Sequence, residues 1–352
     1  MSTALITTTE DYQTTHDNTI ISSPSAGTDF YFQYVVVFIG IVGTAANALI
    51  LYAMVASKEH RKQLLIFNQN VFDLCSCLLL TIISSVRICN IYLTGILGYW
   101  LCKLLLSENL LWVSITGSTI NLLSITIERY IKVVHSGWSK KLLHKWVKYT
   151  AAAFAWIAGF VYEITLGFST STVIDGVCYG LLVWKSETAA LIHGIWYFAS
   201  FYVVVIFIFV FCYAKILIVI RRQARVMASH SGPGSSTCQQ TQSNQIQSNV
   251  IKTMILVSAF YVILWTPNYI FYLLAHIKPD LTIHYIAYYF SVFLVFLYIS
   301  ANPFIYAVKF NPVRRVLVAL IPWKTTQHAS ESVEMPTPTP ATVTTRTTNQ
   351  RH

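Results

Sequence analysis

Apolar residues fall into seven long runs, roughly at 32–56, 64–90, 100–134, 146–168, 189–220, 250–276 and 283–308. Each is long enough to cross ~30 Å of hydrocarbon as an α-helix, which takes about 20 residues. The in–out alternation of a membrane barrel strand is missing from all of them. Lipid offers the backbone no hydrogen-bond partners, so helices that satisfy themselves are the expected answer. The pattern predicts an all-α membrane protein, a seven-transmembrane helix bundle over residues 32–310. Residues 1–31 read as an N-terminal tail and the Ser-, Gln- and Gly-rich stretch 226–249 as a flexible loop. From Asn311 to Trp323 basic and apolar residues alternate at helical spacing, the mark of an amphipathic helix lying on the membrane surface. Residues 324–352 carry a Pro-Thr repeat and many hydroxyls, and read as a disordered tail.

Composition agrees with the pattern. The chain of 352 residues is 55% hydrophobic and 11% charged, where a soluble domain has about 25% charged residues. A net charge of +10 could suggest nucleic acid as a partner. The basic residues lie between apolar runs and form no single patch, so the partner expected is a bilayer and not a nucleic acid. Their placement also predicts a direction. With the N-terminus outside, only Arg87, Lys103, Lys185 and Lys278 of the 24 Lys and Arg residues fall on outer connections. That is a positive-inside asymmetry. The opening residues lack the basic start and apolar middle of a secretory signal, so the first apolar run is expected to direct insertion. There is no Asn-x-Ser/Thr sequon.

Several motifs sit at matching depths in these runs. Glu128-Arg129-Tyr130 ends the third, Leu264-Trp265-Thr266-Pro267 lies in the sixth and Asn302-Pro303-Phe304-Ile305-Tyr306 in the seventh. Gly43 with Asn47, Asp73 and Trp156 occupy the first, second and fourth. On these residues the chain from Tyr34 to Trp323 resembles the rhodopsin-like, or class A, G-protein-coupled receptors. The stretch from Thr116 to Tyr130 and the segment Asn302 to Asn311 are similar to melatonin receptors and related orphan invertebrate receptors.

The resemblance implies a plasma-membrane receptor for an extracellular ligand that activates a heterotrimeric G protein. By it, Glu128 holds Arg129 at rest, and Arg129 meets the G protein once the sixth helix swings outward. Tyr130, Tyr213, Trp265, Pro267, Asn302, Pro303 and Tyr306 complete the switch. Both prolines remove backbone hydrogen bonds and give their helices places to bend. The resemblance further implies a disulfide between Cys102 and Cys178, and an allosteric sodium ion on Asp73, Ser118 and Asn302, with no other cofactor. Read from the residues alone, Asp73 has a second option: a protonated carboxyl hydrogen-bonded to Asn47 and Asn302. A mid-membrane carboxylate costs at least ~2.5–3.5 kcal/mol. Thr325, Thr326, Ser330 and Ser332 offer hydroxyls to a receptor kinase and so to arrestin.

The chain departs from the family in places. Cys102 precedes Arg129 by 27 residues, two more than the family spacing, which predicts a local change in helix phase. The fifth run has Val205 where a proline is usual, and Gln247 lies where the sixth helix often starts with an acid, from which some ligand-free signalling is expected. Tyr298 replaces a frequent Asn near the sodium residues, and no Cys follows the seventh run to carry a palmitoyl anchor. Leu111 occupies the position of the aspartate in amine receptors, Phe296 that of the retinal lysine in opsins, and Phe201 that of the fifth-helix histidine in melatonin receptors.

The pocket is expected toward the outer end. Ionisable groups inside a membrane are candidates for function, which selects Arg87, Glu108 and Glu163. Mutual pairing of Arg87 with Glu108 is the other use open to them. Trp112, Tyr197, Asn268, Tyr269, Tyr272 and Tyr288 supply an aromatic, partly polar lining around Leu111, with His193, His276 and Tyr289 nearby. Mixed charges suit a peptide or a polar small molecule. A proton-coupled transporter using Asp73, Glu108 and Glu163 is the alternative, though the runs show no inverted repeat. Enzymatic motifs, such as metal-ligand spacings or phosphate loops, are missing.

Overall fold

The computed structural model describes residues 26–179, 186–230, 238–277 and 285–320. The opening stretch, Lys185, Lys278, the end of the amphipathic segment and the hydroxyl-rich tail from Thr325 lie outside the described residues. Seven helices among those described are long and apolar enough to cross a membrane: Gly27–Ala56, Leu64–Ile88, Gly95–Val134, Lys145–Phe168, Thr188–Gln223, Val250–Ile277 and Ile286–Lys309. They are the first to seventh spans below. Their outward faces are apolar, with Phe38, Phe207 and Ile263 each about two-thirds exposed. Asn47, Asn70, Asp73, Asn121 and Asn302 are fully buried. A bundle with a greasy exterior and amides inside is built for lipid.

Several helices run past the expected apolar limits. The first begins at Ala26, inside the stretch read as a tail, and Asp29 in its first turn accepts a hydrogen bond from Tyr289 (2.7 Å). The fifth continues to His230 and the sixth starts at Cys238, both inside the stretch read as a loop. Hydropathy marks the part that meets lipid, whereas a helix extends until a breaker stops it. Helix Asn311–Ala319 follows the seventh span, with proline near its start, and Val313 buried.

The third span is interrupted. Cys102–Leu106 is a π-helical turn, Glu108 takes φ 65°, and regular helix resumes at Asn109. The interruption falls within the 27-residue interval from Cys102 to Arg129. The interruption frees carbonyls that side chains recapture. Arg87 Nη2 donates to Leu106 O (2.8 Å), while Asn109 Nδ2 donates to Lys103 O (2.6 Å). The fifth span carries a second π-helical turn, Ala199–Val203, just before Val205. The Tyr261 hydroxyl of the sixth span donates to Phe201 O there (2.9 Å). A bulge thus forms in the fifth span without proline.

Cys102 and Cys178 form a disulfide. It ties the third span to an antiparallel hairpin, Thr172–Ile174 with Val177–Tyr179, and marks one end of the bundle. Arg129 marks the other.

Candidate functional site: two ends joined by a buried polar core

At the Arg129 end, one carboxylate serves three cations. Glu128 Oε1 lies 2.7 Å from Lys132 Nζ and 3.0 Å from Lys148 Nζ, and its Oε2 lies 3.4 Å from Arg129 Nη2. Lys132 follows one helical turn later and Lys148 comes from the fourth span. The better hydrogen bond of Arg129 runs to Gln63 Oε1 (2.5 Å), in the residue that precedes the second span. Its Nε has no partner among the described residues. Tyr130 turns away, with its hydroxyl 3.4 Å from His135. Tyr213 links three spans, its hydroxyl 3.1 Å from Thr126 Oγ1 and 3.0 Å from Ser258 Oγ.

Mid-bundle, a directed chain of hydrogen bonds converges on Asp73. Trp156 donates to Asn68 Oδ1 (3.0 Å), Asn68 to Asn121 Oδ1 (3.0 Å) and Asn121 to Gln69 Oε1 (2.8 Å). Gln69 donates to Ser118, and Ser118 to Asp73 Oδ1 (3.2 Å). Asn302 Nδ2 donates to Asp73 Oδ2 (2.8 Å). Asn47 instead donates to Gly43 O (2.9 Å), so the option that bonds it to Asp73 is not what forms. Around Asp73 the buried oxygens Asn47 Oδ1, Asn302 Oδ1 and the Tyr298 and Tyr306 hydroxyls lack partners among the described residues. A carboxylate beside several unsaturated oxygens is a donor set for a hard cation. These residues fit sodium.

Ring contacts connect this core to the disulfide end. Trp265 meets Tyr298 (6.4 Å) on one side and Trp112 (6.4 Å) on the other. Pro267 and Pro303 lie within continuous helices beside Trp265 and Tyr306, both of which are buried.

The expected pocket residues separate into three groups. In the first, Arg87 Nη1 meets Glu108 Oε1 at 2.6 Å and Trp112 Nε1 donates to Glu108 Oε2 (3.1 Å). Leu111 is fully buried beneath them. The second lies between the fourth, fifth and sixth spans. There Thr116 donates to Glu163 Oε1 (2.5 Å), and His193 has the Tyr162 hydroxyl at 3.0 Å from Nε2 and the Tyr272 hydroxyl at 3.0 Å from Nδ1. Tyr197 packs against Tyr269 (5.7 Å) and Tyr272 (5.0 Å). The third joins Tyr288 to Phe271 (5.0 Å) and Tyr289 to Phe32 (4.3 Å). Asn268 is buried on the sixth span. Lys103, expected on an outer connection, is buried and donates to Phe168 O (2.8 Å) and Ser171 O, closing the end of the fourth helix.

Sequence reasoning missed Gln63, Gln69, Asn121, Lys148 and Ser258. Amides inside apolar runs are expensive and rarely idle, and that signal could have found Gln69 and Asn121. Nothing local distinguishes Gln63 or Ser258.

Two receptors are similar to this chain in sequence. Lysophosphatidic acid receptor 3 of Rattus norvegicus is 24% identical over 249 residues, covering 68% of this chain and 64% of that protein. Lysophosphatidic acid receptor 1-A of Xenopus laevis is 26% identical over 208 residues, covering 58% of this chain and 53% of that protein. The chain thus spans less than two-thirds of either relative. The family described as "7 transmembrane receptor (rhodopsin family)" matches residues 46–306, most of the chain, from within the first span to near the end of the seventh. Motifs, bundle and match agree: this chain is a multi-pass membrane receptor belonging to the rhodopsin family of seven-transmembrane receptors.

Proposed function

We propose that this receptor binds a peptide or polar small molecule at its disulfide end and activates a heterotrimeric G protein at its Arg129 end. On this reading the N-terminus is extracellular and Arg129 faces the cytoplasm, in keeping with the basic residues concentrated on that side. The observation that carries the proposal is the arrangement at Arg129. A guanidinium buried at the bundle end, held by Gln63 and only loosely by Glu128, is poised for exchange to a partner's acceptor. Outward movement of the sixth helix would part Ser258 from Tyr213 and open that end. Asp73, whose two oxygens both accept hydrogen bonds, would hold a sodium ion with Ser118 and Asn302.

The relatives named for lysophosphatidic acid raise the question of an anionic lipid ligand. Among the described residues, the cations near the pocket are already committed, Arg87 to Glu108 and Leu106, and Lys103 to two carbonyls. That chemistry favours the peptide or polar-molecule reading over a phosphate headgroup.

The test is guanine-nucleotide exchange in membranes carrying the receptor and each class of Gα subunit, with and without a library of peptides and polar metabolites. We expect exchange above receptor-free membranes in at least one pairing, lost in Arg129→Ala at equal surface expression. Solute uptake that is indifferent to Arg129→Ala, with no exchange in any pairing, would support a transporter instead.

A further inference from the structure

Among the described residues, four carboxyls lie buried within the spans: Asp73, Glu108, Glu128 and Glu163. Three are compensated. Glu108 has Arg87 and the Trp112 indole; Glu128 has Arg129, Lys132 and Lys148; Asp73 accepts from Ser118 and Asn302 at the end of a hydrogen-bonded chain. Glu163, 7% exposed, has the Thr116 hydroxyl as its hydrogen-bond donor, and no basic side chain among the described residues reaches it as an ion pair. A buried carboxylate costs several kcal/mol unless a cation or several donors compensate it, on the order found for buried ions generally. One hydroxyl meets that need only in part, and the rest is met by a proton on the acid or by a cation brought to it.

The surroundings indicate which. Tyr162 adjoins Glu163 on the fourth span, Tyr197 packs beside Tyr162, and Tyr272 packs on Tyr197. Their rings form one wall, with Tyr197 centred 6.3 Å from Tyr162 and 5.0 Å from Tyr272. The hydroxyls of Tyr162 and Tyr272 are engaged by His193, which leaves ring faces as the wall's recognition surface. Aromatic faces attract cations through their quadrupole, and a carboxylate among them adds a full opposite charge. The same carboxylate repels anions, and a neutral hydroxyl or amide would leave its charge uncompensated.

We infer that the ligand carries a positively charged nitrogen, an ammonium or guanidinium, that pairs with Glu163 against the rings of Tyr162, Tyr197 and Tyr272. This rests on the receptor reading above and names the ligand class it left open. The acid comes from the fourth span, since Leu111 leaves the third without one at the amine-receptor position. On binding, the cation replaces the Thr116 hydroxyl as the principal partner of Glu163.

The test uses the full chain in lipid nanodiscs and two pairs of probes matched in shape. They are 2-phenylethylammonium with 2-phenylethanol, and Nα-acetyl-lysine amide with Nα-acetyl-norleucine amide, with binding read by ligand-observed NMR. In each pair the cation should bind at least about tenfold more tightly than its neutral counterpart, one charge-assisted contact being worth that ratio. Glu163→Gln should remove the preference, with folding checked by its melting curve. Equal binding within both pairs, or no binding of either cation at millimolar concentration, overturns the inference using the native chain alone. Loss of the preference in Glu108→Gln but not in Glu163→Gln overturns it as well, by moving the site to Glu108. Nucleotide exchange measured in parallel separates the two readings. A cation preference without exchange in any pairing would sink G-protein coupling and leave the Glu163 site standing.

Discussion

At the scale of single residues, the tightest contact at the disulfide end is Arg87 with Glu108, and its two members are unequally placed. The Glu108 side chain is 2% exposed and that of Arg87 19%. Removing Arg87 takes the guanidinium from a buried carboxylate, and breaking a buried pair in this way costs about 3–5 kcal/mol. Removing the charge of Glu108 leaves a guanidinium that can turn toward water and keep its bond to Leu106 O. Arg87→Met should therefore lower the unfolding temperature in detergent more than Glu108→Gln does. Equal losses would mean that the pair is solvated and that its burial is not what matters. Mutual pairing is one of two uses the sequence leaves open for these residues, and the two side chains do pair. Lys103 was less legible. A lysine near the end of a span reads as an outer-loop residue, yet its stem carries the ammonium inward to two carbonyls that the fourth helix leaves unpaired at its end.

At the scale of elements, the third and fourth spans meet through small residues. A Cβ on Gly159 would lie 2.6 Å from Val113 O and 3.0 Å from Gly117 N, backbone atoms that yield only if a whole helix moves. Close approach through glycine is a usual means of helix association in lipid. Gly159→Ala should thus cost about 1–3 kcal/mol, as overpacking does. Gly137→Ala, in the short helix Ser136–Leu142 with open space around it, should be close to neutral. Melting curves of the two variants in nanodiscs check the contrast, and similar values would show that the spans can part without penalty. All seven spans were legible, because lipid demands long apolar stretches and little else meets that demand. Their ends were not, since Ala26, His230 and Cys238 lie in polar sequence that helix propagation carries along. Nor was the break in the third span at Glu108, because a left-handed glutamate has no sequence signature. Its one trace was the 27-residue interval from Cys102 to Arg129. The bulge of the fifth span forms without the proline that would have announced it, and Tyr261 takes the Phe201 carbonyl in that turn.

At the scale of the whole molecule, the proposed mechanism places recognition and transmission at opposite ends, and it requires two arrangements of the bundle of similar free energy. What holds the sixth span at the Arg129 end decides their balance. The sequence lacks an acid there, and Arg129 turns to Gln63 on the opposite side, a partner brought near only by folding. Among the described contacts, the side-chain hydrogen bond that spans this opening is Tyr213 with Ser258. Such a bond contributes about 0.5–1.5 kcal/mol net, and 1.4 kcal/mol is a tenfold change in an equilibrium. Ser258→Ala removes it while the Tyr213 hydroxyl keeps Thr126, so no buried donor is left unpaired. On the proposed mechanism the open arrangement is the one that engages the G protein. Ligand-free nucleotide exchange should then rise by about two- to tenfold in Ser258→Ala at matched surface expression. Unchanged or reduced exchange would mean that this bond forms equally in both arrangements, since a contact present in both cannot bias the equilibrium between them.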